Sequence, residues 1–577
     1  MYVSGKNIEQ LCLSLSSALS SLRIWLQNHG LNLSVNKSSV VLFSRMRCPP
    51  PISVYFDNRL IPVQSEAKFL GLILDAKLTG LSHMYYLTAR CEKLLNILRC
   101  LAGVWWGAHP FSLKLVYNAL IRSVLDYGTF FLEPCSVVGL HKLDVVQSKA
   151  LRIVTGAMRS SPNNALQVEC AEPPLKLRRQ FLSDKYLFRA FQFRNHPLYS
   201  KLQQLSDYVY SDPYWYHKYP PCLVISFRKY ISLQAPTHRS AFLPLFCSSF
   251  ESLIVSPSIH FDLNIPKNSS SSFSDFKLAL ESYDWLDWHH IYCDASKHSP
   301  EGNVGIGVYH HQYRINQKIK FPPETSVFTG ECFGLFKSLE YVLLFKLSKT
   351  VIFSDSKSAL QALAKFPFKS NTSFPLVIET RKLLEKCLSN GLQVVFAWIP
   401  SHSRIPGNEI ADRLANDAVV SGDMFPYRNY SHDLVTLPKF YLRKSWNEDW
   451  NRSGQIKGKF YKNIQHDIPI KPWFFRTRLD KRATSSIIRM RLGHACVPAH
   501  LARLHIVDND MCECGEEVGD INHILFSCQK YDRSFFISSL ISLRIPFPTC
   551  IKCLLYDNDY DVYKCISLFL SKNDIKI

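Results

Sequence analysis

Four acidic residues stand in one order along the second half of the chain: Asp294, Glu331, Asp355 and Asp412. Asp294 follows the apolar run Ile291-Tyr292-Cys293, and Asp355 follows Val351-Ile352-Phe353-Ser354, so each is expected where a buried strand ends. Glu331 falls at the edge of the stripe Phe328, Cys332, Leu335, Phe336 and Leu339, the core face of a helix. Asp412 is expected in the first turn of a helix started by Gly407-Asn408, with His402 in the loop before it. Taken singly, an Asp after a strand is most often a cap or turn former, and a Glu on an amphipathic helix lies at the solvent border. Gathered into one pocket, such carboxylates would repel and desolvate one another. Divalent cations remove that cost, and Mg²⁺ prefers oxygen ligands of this kind.

A second set closes the chain. Cys512-Glu513-Cys514 is followed by His523 and Cys528, and three thiolates with one imidazole at this spacing suit a closed tetrahedral Zn²⁺ site. Gly515 supplies the tight turn such a knuckle needs. The competing reading is unligated thiol in a reduced compartment. Cys550 and Cys553 form a Cys-x-x-Cys for which no further ligand pair is evident, and they stay unassigned.

The elements around the carboxylates read strand, strand, strand, helix, strand, helix, helix, strand, loop, helix from His289 to Val420. That alternation implies an α/β layer with a mixed sheet and flanking helices. Gly305 and Gly307 in the second strand allow close approach of another backbone, and Ser356 is placed to cap the helix after Asp355.

The local phrases Tyr292-Cys293-Asp294-Ala295-Ser296, Phe328-Thr329-Gly330-Glu331-Cys332 and Ile352-Phe353-Ser354-Asp355-Ser356 resemble those of a type 1 ribonuclease H. The most specific match is the run from His402 through Pro406-Gly407-Asn408-Glu409 to Ala411-Asp412; Asp294-Ala295-Ser296 alone is weak. The resemblance implies that Asp294, Glu331, Asp355 and Asp412 hold two Mg²⁺ about 4 Å apart, with Mn²⁺ as the alternative ion. It implies that His402 assists proton transfer or product release, and that Ser296, Asn303 and Ser356 contact phosphate or sugar. The implied reaction is endonucleolytic hydrolysis of the RNA strand of an RNA–DNA hybrid, leaving a 5′ phosphate and a 3′ hydroxyl. Two departures are mild: Ala295 stands where the family often has Gly, and Gly330 where Ala commonly precedes the Glu.

Ahead of this region, Gly30-Leu31-Asn32-Leu33-Ser34-Val35-Asn36-Lys37 with Phe43-Ser44 resembles the end of a non-LTR reverse-transcriptase palm. Phe69-Leu70-Gly71-Leu72-Ile73-Leu74-Asp75 with His83 resembles the primer-grip region after it. Tyr117 to Gly128 and Gln147 to Arg152 resemble the helical thumb of jockey-like elements. Polymerases of that family need a Tyr-x-Asp-Asp turn, and no Asp-Asp pair occurs in the sequence. The chain starts where that turn would have ended, so a polymerase remnant without DNA synthesis is expected. Here Leu31–Ser34, Val40–Phe43 and Ile52–Phe56 read as strands, and Lys68–Asp75 as one short buried strand.

The resulting layout is a partial α+β palm at 1–82, a helical thumb-like region at 83–196, a connector with a flexible serine-rich end at 197–285, a ribonuclease H domain at 286–422, and a basic helical tail with the Cys/His cluster at 423–577. Its 577 residues exceed one core, and 47% hydrophobic with 13% aromatic content argues against disorder. A net charge of +21 favours a polyanionic partner, here an RNA–DNA hybrid and other nucleic acid. The basic helical face set by Arg90, Lys93, Arg99, Lys114, Arg122, Lys149, Arg152, Arg178 and Arg179 is expected to be solvated or to track a phosphate backbone. No signal peptide and no stretch of about 20 apolar residues is read, so no membrane partner is expected, and the location is intracellular, with nucleus and cytosol equal. Two rivals stand beside the hybrid nuclease: a catalytically inactive nucleic-acid-binding remnant, and a metal-dependent DNA nuclease or transposase of the same fold.

Overall fold

The alternation from His289 onward builds a central sheet, seen in a computed structural model. The structure describes residues 1–44, 46–103, 106–132, 137–191, 196–233, 248–267, 269–369, 374–427, 429 and 431–577. In chain order the sheet and its helices are β1 (Ser258–His260), α1 (Ser272–Ser282), β2 (His289–Ser296), β3 (Val304–His310), β4 (Ile315–Phe321), α2 (Val327–Phe345), β5 (Lys349–Ser354), α3 (Lys357–Ala364), α4 (Pro375–Ser389), β6 (Gln393–Trp398), α5 (Pro406–Ser421) and β7 (Asp423–Met424). The seven strands lie in the order β7-β4-β3-β2-β5-β6-β1. The β2-β3-β4 meander is antiparallel, whereas β5, β6 and β1 extend it in parallel from β2.

Period-two alternation sends Ile291 and Cys293 into one core with Leu335 and Leu339 of α2. Tyr292 and Phe353 enter the other core with Phe276 of α1 and Ala411 of α5. Both faces of the sheet's centre are therefore covered, which is why β2, β3, β5 and β6 carry the apolar runs while β4 at the side is polar and partly exposed. β1 and α1 precede residue 286, so the sheet recruits the end of the stretch read as a connector. The serine run belongs to that support: the Ser272 hydroxyl opens α1 and donates to the carbonyls of Pro266 and Ser269.

The chain divides into two compact units. The sheet belongs to the unit built from Ser183–Ser211 and Leu223–Leu442. The other unit joins Met1–Leu182 and Asp212–Cys222 with Arg443–Ile577, so the helices between residues 81 and 182 and the tail share one core. Its centre holds Arg491 and Glu169, both fully buried. The Arg491 Nε donates to both Glu169 oxygens at 3.2 Å, Nη1 donates to the Leu555 carbonyl (2.7 Å) and the Tyr563 hydroxyl (2.9 Å), and Nη2 donates to Gln465 (3.1 Å). The Trp473 indole N–H donates to the same carboxylate at 2.5 Å.

Several expectations for this unit change. Residues 31–34 and 40–43 form no ladder; Val35–Lys37 is a 3₁₀ turn, and only Val40 bridges, to Val63. The Ile52–Phe56 strand shrinks to Tyr55–Phe56, paired with Arg59–Leu60. The Lys68–Asp75 run is an antiparallel hairpin, Glu66–Phe69 with Leu72–Asp75, because Leu70 (φ 45°) and Gly71 (φ 88°) turn the chain in the left-handed region. Phe69 and Leu70 are consequently exposed rather than buried.

The basic helical face is also partly internal. Lys114 and Arg122 turn to buried Glu172, Arg178 forks onto Asp126, and Arg152 donates to the Ser161 carbonyl and to Asn163. In the tail, Lys481 donates to the Gly103 carbonyl and Arg489 to the carbonyl of Gly156, just beyond two helix C-termini, where cations are favoured by the peptide dipoles. Part of the positive charge thus terminates helices rather than facing a ligand. Among the described residues no helix is long and apolar enough to cross a membrane.

Candidate active site

Strand register brings the first two carboxylates together. Cys293 on β2 pairs with Ser354 on the parallel neighbour β5, so Asp294 and Asp355 emerge one residue later at adjacent strands. Asp294 still faces Gly307 on β3. α5 crosses that strand so closely that a Cβ on Gly307 would lie 2.4 Å from the Ala411 carbonyl oxygen, and one on Gly305 would lie 2.0 Å from that of Ala415. Only glycine fits there, and the close crossing sets Asp412, next to Ala411, over the strand end. Pro406 begins α5, which puts Asp412 in its second turn rather than the first.

Oxygens of Asp294, Glu331 and Asp355 lie within 4.8 Å of one another. Asp294 and Glu331 are each only 7% exposed, and the Glu331 Oε2 is buried with no hydrogen-bond partner among the described residues. Burial pushes the Asp294 carboxyl up to about 8, with repulsion from Asp355 and Asp412 adding to it. Burial likewise raises Glu331 far above the carboxylate range, helped by Asp294 and Asp355. Asp355 is raised by burial as well; the Asn408 amide opposes the shift, Asp412 adds to it, and His402 opposes it. Three crowded carboxylates with one orphaned buried oxygen fit a hard divalent ion with oxygen ligands. Asp412 stands outside the tight triplet, at its edge.

His402 sits at the site's rim. Its side chain is 73% exposed, its backbone is left-handed (φ 51°), and its Nδ1 lies 3.9 Å from the Asp412 Oδ2. Ser296 ends β2 and is engaged: its hydroxyl donates to the Asn416 Oδ1 at 2.5 Å. Asn303 is half-buried immediately before β3. Ser356 holds the N-cap position of α3 without a side-chain capping bond; its hydroxyl lies 3.3 Å from that of Ser358 instead.

Residues 288–420 match the family model of RNase H. This segment is an RNase H domain. Over 192 residues the chain is 24% identical to the RNA-directed DNA polymerase from mobile element jockey of Drosophila melanogaster, an alignment covering 32% of this chain and 20% of that relative. Over 196 residues it is 24% identical to a 115 kDa protein in the type-1 retrotransposable element R1DM of the same organism, covering 34% of this chain and 18% of that relative. The chain spans about a fifth of the length of these curated relatives.

The RNase H domain contains positioning residues that patterning does not single out. Asn416 donates from Nδ2 to the Asp412 Oδ1 (2.9 Å) while accepting from Ser296, which leaves the Asp412 Oδ2 toward His402. The Trp398 indole N–H donates to the Asp355 carbonyl at 3.0 Å. Asn408 is buried beside Asp355. An i, i+4 spacing on α5 was the only signal for Asn416, and it is shared by many solvent-facing pairs.

Ala295 and Gly330 meet across the contact between β2 and α2. A Cβ on Gly330 would lie 2.8 Å from the Ala295 Cβ and 2.8 Å from the Val304 Cγ1. The methyl carried by Ala295 thus occupies the space an alanine at 330 would need, and the helix keeps Glu331 against β2. Gly330→Ala is expected to lower the melting temperature and displace Glu331, whereas adding Ala295→Gly removes one of the two close contacts and restores part of the loss. Thermal melts of both variants check this, and equal loss in single and double variants would contradict it.

The tail cluster also assembles. Cys512, Cys514, His523 and Cys528 bring their ligand atoms within 4.8 Å, with Cys512 Sγ to Cys528 Sγ at 3.6 Å and Cys514 Sγ to His523 Nε2 at 3.2 Å. Glu517 accepts from the His523 Nδ1 at 2.9 Å, which fixes the ring so that Nε2 faces the thiols. Backbone N–H donation from Glu516 leads the interactions that hold the Cys514 thiol down at about 7.

Proposed function

We propose that the RNase H domain is a divalent-metal-dependent endonuclease of type 1 that hydrolyses the RNA strand of RNA–DNA hybrids, within a chain of retroelement polyprotein origin. The observation that carries this reading is the Asp294–Glu331–Asp355 triplet, with Asp294 and Glu331 buried and Asp355 half-buried, and its orphaned Glu331 oxygen. Asp294, Glu331 and Asp355 would hold Mg²⁺ or Mn²⁺, with Asp412 completing the set. The ions, when bound, polarise the scissile phosphate and lower the pKa of the attacking water. Asn416 keeps one Asp412 oxygen occupied, so the other is aimed to the site. Exposed His402 is free to swing, and it carries a proton toward the leaving 3′ oxygen or assists product departure. Ser296 would reach a phosphate or sugar only by releasing Asn416; Asn303 and Ser356 carry that role with fewer competing bonds.

The test is substrate discrimination. Purified protein with Mg²⁺ should cut the RNA strand of a labelled hybrid internally, leave 5′ phosphates, and spare duplex DNA of the same sequence. Cleavage of duplex DNA at a similar rate would instead support the transposase-like reading.

For the rest of the chain we infer a thumb-like body without DNA synthesis, since no Asp-Asp pair is present. Cys512, Cys514, His523 and Cys528 are read as a structural Zn²⁺ site, supported by the matched soft ligands and the Glu517–His523 bond. Metal analysis should return Zn²⁺, and its removal by a chelator should expose residues 510–530 to proteolysis. A metal-free cluster with unchanged protease resistance would contradict this.

A further inference from the structure

Outside both sites, one pair of thiols remains. Cys550 and Cys553 bring their sulfurs to 3.5 Å across a single helical turn, with Cys550 immediately before the helix Ile551–Tyr556. Cys553 is exposed and Cys550 is half-buried, at the rim of a cleft it shares with Thr549 and Phe526. Other exposed cysteines are placed differently: Cys48, Cys100 and Cys496 have no second thiol beside them among the described residues. Nor is the pair half of a metal centre, because among the described residues no third ligand group gathers with it.

We propose that Cys550 and Cys553 form a reversible thiol–disulfide site that takes a low-molecular-weight disulfide such as oxidised glutathione as its oxidant. The two thiols are polarised in the sense this chemistry requires. Burial raises Cys550, yet backbone N–H groups and the Cys553 thiol hold it below the usual thiol range. Cys553 is raised in turn, chiefly by its bond to Cys550. Cys550 attacks first in this proposal, and Cys553, 3.5 Å away, resolves.

Its sulfur forms a bond to one sulfur of the oxidant, whose S–S bond breaks and releases one thiolate. The Cys553 sulfur then attacks Cys550 of that mixed disulfide, loses its proton and expels the second thiolate. Two protein thiols lose two electrons and two protons, and the oxidant is reduced to two thiols. The Ile551 N–H donates to the Asn522 Oδ1 at 2.9 Å, which anchors the backbone beside Cys550.

The test uses the full chain, reduced and then equilibrated with glutathione redox buffers, and reads the peptide carrying residues 550–553 by mass. The internal disulfide, a loss of two hydrogens, is expected while Cys48, Cys100 and Cys496 take only mixed adducts. In Cys553→Ser, glutathione should stay trapped on Cys550 as a mixed disulfide, with no second thiol to expel it. Two unmodified thiols at 550 and 553 while the other exposed cysteines react would overturn the proposal. Adducts on both sulfurs without an internal bond would overturn it as well. Alkylation rates of the unsubstituted chain provide a second reading that needs no variant: reduction should uncover both thiols together.

Discussion

Asp294→Asn is expected to raise the melting temperature of the metal-free RNase H domain, and the gain should grow with pH. In the folded chain Asp294 is held at about 8 by burial and by Asp355 and Asp412, against about 3.9 when unfolded. A carboxyl raised in the folded state holds its proton there after the unfolded chain has lost it. Stability is therefore intact below about pH 4 and falls as pH rises toward 8, where the folded group must ionise. Asparagine has no proton to lose, so the variant and the parent chain should melt alike at pH 4 and separate by several degrees near pH 8, on a scale of about 2–4 °C per kcal/mol for a domain of this size. Saturating Mg²⁺ should close or reverse the gap, because the ion stabilises only the chain that binds it. Differential scanning calorimetry with chelator and with Mg²⁺ across that range checks the sign. A variant less stable than the parent at pH 8 without metal would show that these carboxylates do not repel one another as their crowding implies.

The other large effect lies far from the chemistry. Arg491→Met leaves Glu169 buried with its Trp473 bond and no cation, a change expected to cost about 3–5 kcal/mol. The same substitution also strips a donor from the Leu555 carbonyl, the Tyr563 hydroxyl and Gln465. Glu169→Gln is expected to cost less, since an amide still accepts from Trp473 and Arg491 although the charge pair is lost. Chemical denaturation of the two single variants and the double variant measures the coupling. Additive losses would mean that the pair is not the joint between the helices before residue 182 and the tail.

The carboxylate site was legible because its residues carry local marks. Two Asp residues end apolar strand runs, one Glu borders a helical stripe, and the run from His402 to Asp412 is specific. The register that joins them was not legible: Cys293 pairing with Ser354 is a long-range fact that strand periodicity leaves open. β1 was missed because three residues, Ser258–His260, are too few to show alternation. Gly71 looked like part of a buried strand because its neighbours are apolar, when its left-handed turn was the stronger signal. Arg491 read as one more surface cation in a basic tail, and nothing local distinguishes an arginine that will meet Glu169 from more than three hundred positions away. The same blindness overstated the basic face, since Lys114, Arg122, Arg152 and Arg178 all found internal acceptors.

Cleavage of an RNA–DNA hybrid by the purified chain, with and without Mg²⁺, beside Asp355→Asn, tests the carboxylate triplet most directly. The expected result is internal cutting of the RNA strand that needs the ion and is abolished in the variant, with the variant still folded by its melt. Full activity of Asp355→Asn, or equal cutting with the metal chelated, would contradict a metal-holding role for the Asp294–Glu331–Asp355 triplet.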